Sequence, residues 1–220
     1  MNPELTEIVI IVDRSGSMSR LAEETITGMN HLIEEQEEAP GEARLTLALF
    51  DDQYEQVFEN RRLEEVPWIT SKTYYTRGWT ALLDAVGKTV DAVGHRLALT
   101  PEEFRPSKVI VVVITDGMEN ASSKFTFIQI AEKIKHQEEK YGWKFVFSGA
   151  GMDAWAQGAV MGVAASASLN YIHSDIGTRA LYGAVSKGIA RARSVSGPGV
   201  GASLDSMQAD YEAELQKEDK

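Results

Sequence analysis

Two short runs constrain this chain more than anything else in it: Ile8-Val9-Ile10-Ile11-Val12 and Val109-Ile110-Val111-Val112-Val113-Ile114. Neither alternates apolar with polar residues. An unbroken β-branched run is the pattern of a strand covered on both faces, as inside a parallel sheet flanked by helices. These are read as the two central strands. Leu45 to Phe50 and Lys144 to Ser148 read as further strands, Tyr54 to Phe58 as the return arm of a hairpin after the turn-like Asp51-Asp52, and Ala167 to Tyr171 as a weaker sixth.

Between the strands the apolar period changes. Ala22, Ile26, Met29 and Ile33 share one helix face, as do Leu82, Val86, Val90, Val93 and Leu97. Helical spacing also runs through Lys124 to Lys140 and Gly177 to Arg193. Thr100-Pro101-Glu102-Glu103 has a capping-box pattern that predicts a short extra turn. Strands alternating with helices predict an α/β fold with an open, doubly wound, Rossmann-like, mostly parallel sheet and helices on both faces. A chain of 220 residues suits one such unit. It is assigned to residues 1–193. Past Ser194 the composition shifts to Gly197-Pro198-Gly199-Val200-Gly201 and then to a stretch rich in Asp, Glu and Lys, so 194–220 is read as a Gly/Pro linker and a flexible acidic tail, with a short helix from Leu204 to Leu215 as the alternative.

Charge and cysteine content narrow the chemistry. A net charge of −11 repels a phosphate backbone and disfavours nucleic acid. The absence of cysteine excludes thiolate metal sites, disulfides and Cys nucleophiles, and leaves oxygen ligands. Acidic Glu4 and Glu7 precede an apolar run too short for a signal peptide or a membrane span, so the expectation is a cytoplasmic protein with no membrane partner.

Ligands of doubly wound sheets bind beyond the carboxyl ends of the central strands. The first strand there runs into Asp13-Arg14-Ser15-Gly16-Ser17, and the other into Thr115-Asp116-Gly117. A third segment, Gly78-Trp79-Thr80, opens a helix where a loop reaches over the same strand ends. Asp13, Ser15, Ser17, Thr80 and Asp116 form a set of hard oxygen donors that suits magnesium, admits manganese, and is short of carboxylates for calcium. Singly, each has an ordinary explanation: the serines and Thr80 as helix caps, Asp116-Gly117 as a turn. Two carboxylates and three neutral hydroxyls leave a divalent cation incompletely neutralised, ready to accept an outside acid group.

Asp13-x-Ser15-x-Ser17, then Thr80, then Asp116 resembles the metal-ion-dependent adhesion site of von Willebrand factor A-like domains, with all five positions filled. The resemblance spans roughly 5 to 193. It implies a six-stranded sheet with one antiparallel edge strand, and metal contact through the hydroxyls of Ser15, Ser17 and Thr80, with Asp13 and Asp116 bound directly or through water. It also implies a binding module whose partner is a protein offering Glu or Asp. Stand-alone intracellular members of the family often work in assemblies, for instance beside AAA+ ATPases.

Other residues near these segments have weaker claims. Glu119 and Asn120 fall on the rim, where a solvated loop explains them equally well. Asp84 is one helical turn past Thr80, placed to orient a ligand or to cap. Trp79 is placed to anchor a partner. His31, His95, His136 and His173 show no metal-binding spacing and read as surface or packing residues. A rival reading is a magnesium-dependent phosphohydrolase with Asp13 as nucleophile. It lacks the second aspartate two residues on, where Ser15 stands, and a nearby lysine for the phosphate. A third is a metal-free scaffold.

Overall fold

The computed structural model describes residues 1–151, 153–197 and 199–218. Six strands form one sheet: β1 (Asn2–Asp13), β2 (Glu42–Phe50), β3 (Tyr54–Arg62), β4 (Pro106–Thr115), β5 (Lys144–Ala150) and β6 (Ser168–Tyr171). Their order is β3-β2-β1-β4-β5-β6, and every neighbouring pair is parallel except β2 and β3, so the antiparallel strand lies at an edge. The two β-branched runs are the inner strands β1 and β4, paired from Thr6↔Lys108 to Val12↔Ile114.

Side chains alternate across the sheet, and each face has its own core. Ile8, Ile10 and Val12 point with Ile110, Val112 and Ile114 toward α1 (Ala22–Glu38) and a long later helix, Asp175–Ser194. Val9 and Ile11 point with Val111 and Val113 toward α2 (Leu82–Leu99) and α3 (Phe127–Tyr141). The short α4 (Ala154–Val160) closes that side through Ala154, and the long helix is α5. The helix expected from Lys124 begins at Phe127, because Thr126 and Gln129 form a capping box there, and it ends against left-handed Gly142.

Two expectations fail. A short 3-10 turn does form at Glu102–Phe104, but Thr100 does not cap it; its hydroxyl bonds the Arg96 carbonyl and closes the end of α2 instead. The expected linker and flexible tail is two helices, α6 (Gly199–Asp205) and α7 (Met207–Glu218). Pro198, Asp219 and Lys220 of that stretch lie outside the described residues. The reason is an apolar stripe, Val200, Leu204, Met207 and Tyr211, that recurs at three- and four-residue steps and is buried in the first core. It lands on α5, where Gly188 leaves room for Met207; a Cβ there would sit 2.3 Å from the Met207 Cε. Arg191 pairs with Asp210, and Lys187 with Glu214, along the flank of this contact.

Candidate metal centre

Because β1 and β4 are adjacent and parallel, their carboxyl ends deliver Asp13 and Asp116 to the same edge of the sheet. Ser17 Oγ donates to Asp116 Oδ1 at 2.6 Å, and the Ser15 and Ser17 hydroxyl oxygens are 3.1 Å apart. Ser15 and Ser17 make no helix cap: the 3-10 turn Gly16–Leu21 that follows has no side-chain cap bond. Nor does Thr80 cap α2. Its hydroxyl faces Gly117, where an added Cβ would lie 2.7 Å from Thr80 Oγ1 and 3.6 Å from Asp13 Oδ2. Only glycine fits at that closest approach. The structure therefore links Ser15 to Ser17 and Ser17 to Asp116 in one chain of contacts, and sets Thr80 and Asp13 both close against Gly117.

Asp13 is wholly buried and already committed within the protein. Its Oδ1 accepts from the Ser15 amide at 2.6 Å and its Oδ2 from the Thr115 hydroxyl at 2.5 Å. Burial pushes its carboxyl up to about 6, against the lowering effect of those hydrogen bonds. Asp116 differs. Its carboxylate is 1% exposed, and Oδ2 is a buried oxygen with no hydrogen-bond partner. A buried carboxylate oxygen that accepts no aligned hydrogen bond is costly unless a positive charge, an imidazolium or a metal ion, answers it. Among the described residues no three His, Asp or Glu side chains gather closely enough to cage a metal alone, so any cation here relies on the hydroxyls. The donor set fits a hard divalent ion of incomplete protein coordination: Ser15, Ser17, Thr80 and Asp116 are the residues that could touch it, with Asp13 acting through its neighbours or a water.

The loops are pinned to one another from behind. Arg14, between the two motif residues Asp13 and Ser15, turns the opposite way and is fully buried. Its Nε bonds Asp51 Oδ2 at 3.2 Å and its Nη1 bonds Glu55 Oε2 at 2.7 Å. Arg77 Nε meets the same Asp51 oxygen at 2.5 Å, and the Arg77 amide donates to the Arg14 carbonyl. The Gly16 amide donates to the Gly78 carbonyl at 3.2 Å. Gly78 sits at φ +65° beside Asp52 Oδ1, a place no side chain could share. Tyr74 donates its hydroxyl proton to the Asp13 carbonyl at 2.7 Å.

Glu119 and Asn120, expected on the rim, and Asp84, expected one helical turn past Thr80, serve the scaffold. Glu119 accepts from the Leu83, Ala121 and Ser122 amides, and Asn120 Oδ1 accepts from the Thr80 amide at 2.9 Å. They are not free loop residues. Asp84 is buried and accepts from the Ser123, Lys124 and Phe125 amides, which anchors the loop after β4 rather than orienting a ligand. Among the tryptophans only Trp143 is core; Trp79 is 69% exposed beside Thr80. One residue was misjudged by sequence reasoning. His173, read as an ordinary surface or packing histidine, has its Nε2 atom 2.8 Å from Asp116 Oδ2. The available signal was positional: it falls just past the carboxyl end of β6, as Asp13 and Asp116 stand at the ends of β1 and β4.

The family model of the von Willebrand factor type A domain matches residues 7–178. No curated protein matches the chain in sequence. Among solved structures, it is similar to the proximal thread matrix protein 1 of the mussel byssus with a zinc-occupied MIDAS motif (15% identity, 84% of this chain and 46% of that one, TM-score 0.58). It is also similar to the ArnB paralog VWA2 from Sulfolobus acidocaldarius (16%, 85% and 45%, 0.53). A third is the pilus adhesin SpaC from Lactobacillus rhamnosus GG in its open conformation (13%, 87% and 30%, 0.65). At these identities the likeness is one of fold, and the chain spans less than half the length of each. Among the described residues no helix is long and apolar enough to cross a membrane.

Proposed function

The chain belongs to the von Willebrand factor type A domain family, and from that premise we propose that it is a divalent-cation-dependent protein-binding module. Ser15, Ser17, Thr80 and Asp116 hold a magnesium ion, for which manganese can substitute, and Asp13 supports the ion from behind. The cation keeps a coordination position for a Glu or Asp side chain of the partner. No bond is made or broken. The observation that carries this reading is the buried Asp116 Oδ2, which accepts no aligned hydrogen bond, beside the converging hydroxyls of the Ser15–Ser17 and Thr80 loops. Exposed Trp79, Met118 and Ile172 adjoin those loops and give the partner apolar surface around its acid group. The proposal extends to a cytoplasmic setting and to a partner within an ATPase-containing assembly.

The phosphohydrolase alternative finds less support. A nucleophilic aspartate needs a free oxygen in line with the phosphorus, and both oxygens of Asp13 are engaged by Ser15 and Thr115. To test the module, magnesium is titrated calorimetrically into chelated wild-type and Asp116→Ala protein, and capture of its partner is compared with and without chelator. Binding of magnesium that is lost in the variant, with capture that needs the ion, is the expected result. Capture that survives both chelation and the substitution would favour the metal-free scaffold, and robust Asp13-dependent phosphatase turnover would favour the enzyme.

A further inference from the structure

A fourth loop reaches the candidate centre. His173 lies between β6 and α5, and its imidazole Nε2 stands 2.8 Å from Asp116 Oδ2. The contact is close, yet Oδ2 has no hydrogen-bond partner, so the ring N–H is not aimed along the line joining the two atoms. Two groups that share a proton point at each other. Two ligands that share an ion point at a third position, and for bonds near 2.1 Å they stand about 3 Å apart. The 2.8 Å spacing of His173 and Asp116, without an aligned hydrogen bond between them, matches the second case.

The backbone on both sides of His173 is also held in place before any ion arrives. The Ile172 amide donates to the Tyr211 hydroxyl on α7 at 2.7 Å, which fixes the residue before it. On the other side the Ser174 amide donates to the Ile172 carbonyl at 2.8 Å, and Ser174 Oγ caps α5 by accepting from the Gly177 amide at 3.1 Å. A side chain on a loop anchored at both ends is positioned as metal ligands require. The His173 side chain is about one-third exposed, beside a carboxylate that is almost wholly covered.

We propose that His173 is a nitrogen ligand of this centre, so that the site favours imidazole-seeking divalent ions such as zinc or cobalt over magnesium. The proposal rests on the reading of Asp116 and the hydroxyl loops as a cation site, and changes which cation that site selects. Imidazole binds borderline ions well and magnesium poorly, whereas serine, threonine and carboxylate oxygens accept either. One nitrogen therefore tilts an otherwise hard site without closing its remaining positions.

The test compares wild type with His173→Gln and His173→Ala in calorimetric titrations of zinc and of magnesium. Thermal melts in chelator check that each variant folds. Pulsed electron paramagnetic resonance of the manganese-loaded proteins reads nitrogen coordination directly. The expected result is a zinc affinity lower by at least about tenfold in both variants, the scale on which even supporting residues of a metal site act. Magnesium affinity stays within a small factor, and a nitrogen hyperfine coupling in wild type disappears in His173→Gln. A manganese-loaded wild type without nitrogen coupling, or variants that gain affinity for both ions alike, would overturn the proposal while leaving the cation site standing. The second pattern identifies His173 as a partner of Asp116 only when the metal is away. Wild-type protein that binds neither zinc nor magnesium overturns the site itself.

Discussion

Ser17 and Asp116, separated by 99 residues in sequence, meet in a 2.6 Å hydrogen bond from hydroxyl to carboxylate. The bond joins the loop after β1 to the loop after β4. Ser17 is exposed, so replacing it with alanine costs the metal-free fold little, of the order of 1 kcal/mol or less. Its effect on magnesium binding is larger: Ser17→Ala is expected to weaken binding at least about tenfold. Urea melts in chelator set against calorimetric titration separate the two, and equal losses in both would remove Ser17 from the ligand set.

Metal addition is expected to stabilise the whole chain. At a free magnesium concentration about 100 times the dissociation constant, the gain is about 2.7 kcal/mol. For a protein of this size that corresponds to a rise in melting temperature of about 5–11 °C. Differential scanning calorimetry with magnesium, and with Asp116→Ala as control, reads the shift. A wild-type shift no larger than the control's would argue against a specific ion.

Gly117→Ala tests the closeness of the loops. The new methyl group would lie 2.7 Å from Thr80 Oγ1, so either Thr80 or the loop after β4 must move. The expected outcome is a stability loss of about 1–3 kcal/mol together with weakened magnesium binding. Gly142→Ala adds a methyl group that meets nothing within 4 Å, and although its left-handed backbone also carries strain, it should leave metal binding unchanged.

Arg14 makes a prediction about breaking a buried pair. Asp51→Ala removes the buried carboxylate that Arg14 shares with Arg77 and leaves the fully buried Arg14 guanidinium only Glu55, its Nη2 having no hydrogen-bond partner. A loss of about 3–5 kcal/mol is expected, measured by chemical denaturation. Replacing both members with apolar residues, Arg14→Met with Asp51→Leu, should cost much less than the single change. Near-equal costs would mean that the pair is not what holds these loops.

The last two helices predict the effect of truncation. Ending the chain after Gly197 uncovers the face of α5 beneath Val200, Leu204, Met207 and Tyr211. Each buried side chain of this kind contributes about 1.5–3 kcal/mol, so the shortened protein should melt far lower and self-associate. Circular dichroism and light scattering check both. A truncated chain with unchanged melting would restore the tail as a dispensable extension.

The sheet and its central strands were legible because β1 and β4 are buried on both faces, which leaves short, unbroken runs of β-branched residues. The meeting of the segments that carry Asp13, Ser15, Ser17, Thr80 and Asp116 was legible because two of them follow the ends of adjacent strands and the third leads into a helix. What escaped was fixed by distance in the fold rather than by spacing in the chain. Nothing in the sequence ties His173 to Asp116; only the place of β6 at the sheet edge and the turn into α5 does. Glu119, Asn120 and Asp84 are acidic or amide residues near a loop, and whether they face water or backbone amides depends on how α2 meets that loop. The stripe from Val200 to Tyr211 was visible in the residues, but Gly197, Gly199 and Gly201 disguised its start and the receiving face of α5 was unknown.

The parallel ladder between β1 and β4, in register up to Val12↔Ile114, has a lasting consequence. Strands in a sheet keep a spacing of about 4.8 Å whatever side chains they carry. The separation of the two acidic loops is thus dictated by main-chain bonding and is insensitive to substitutions in the surrounding crests. Trp79, Met118 and Ile172 can vary to suit a different counterpart while the seat beneath them keeps its dimensions.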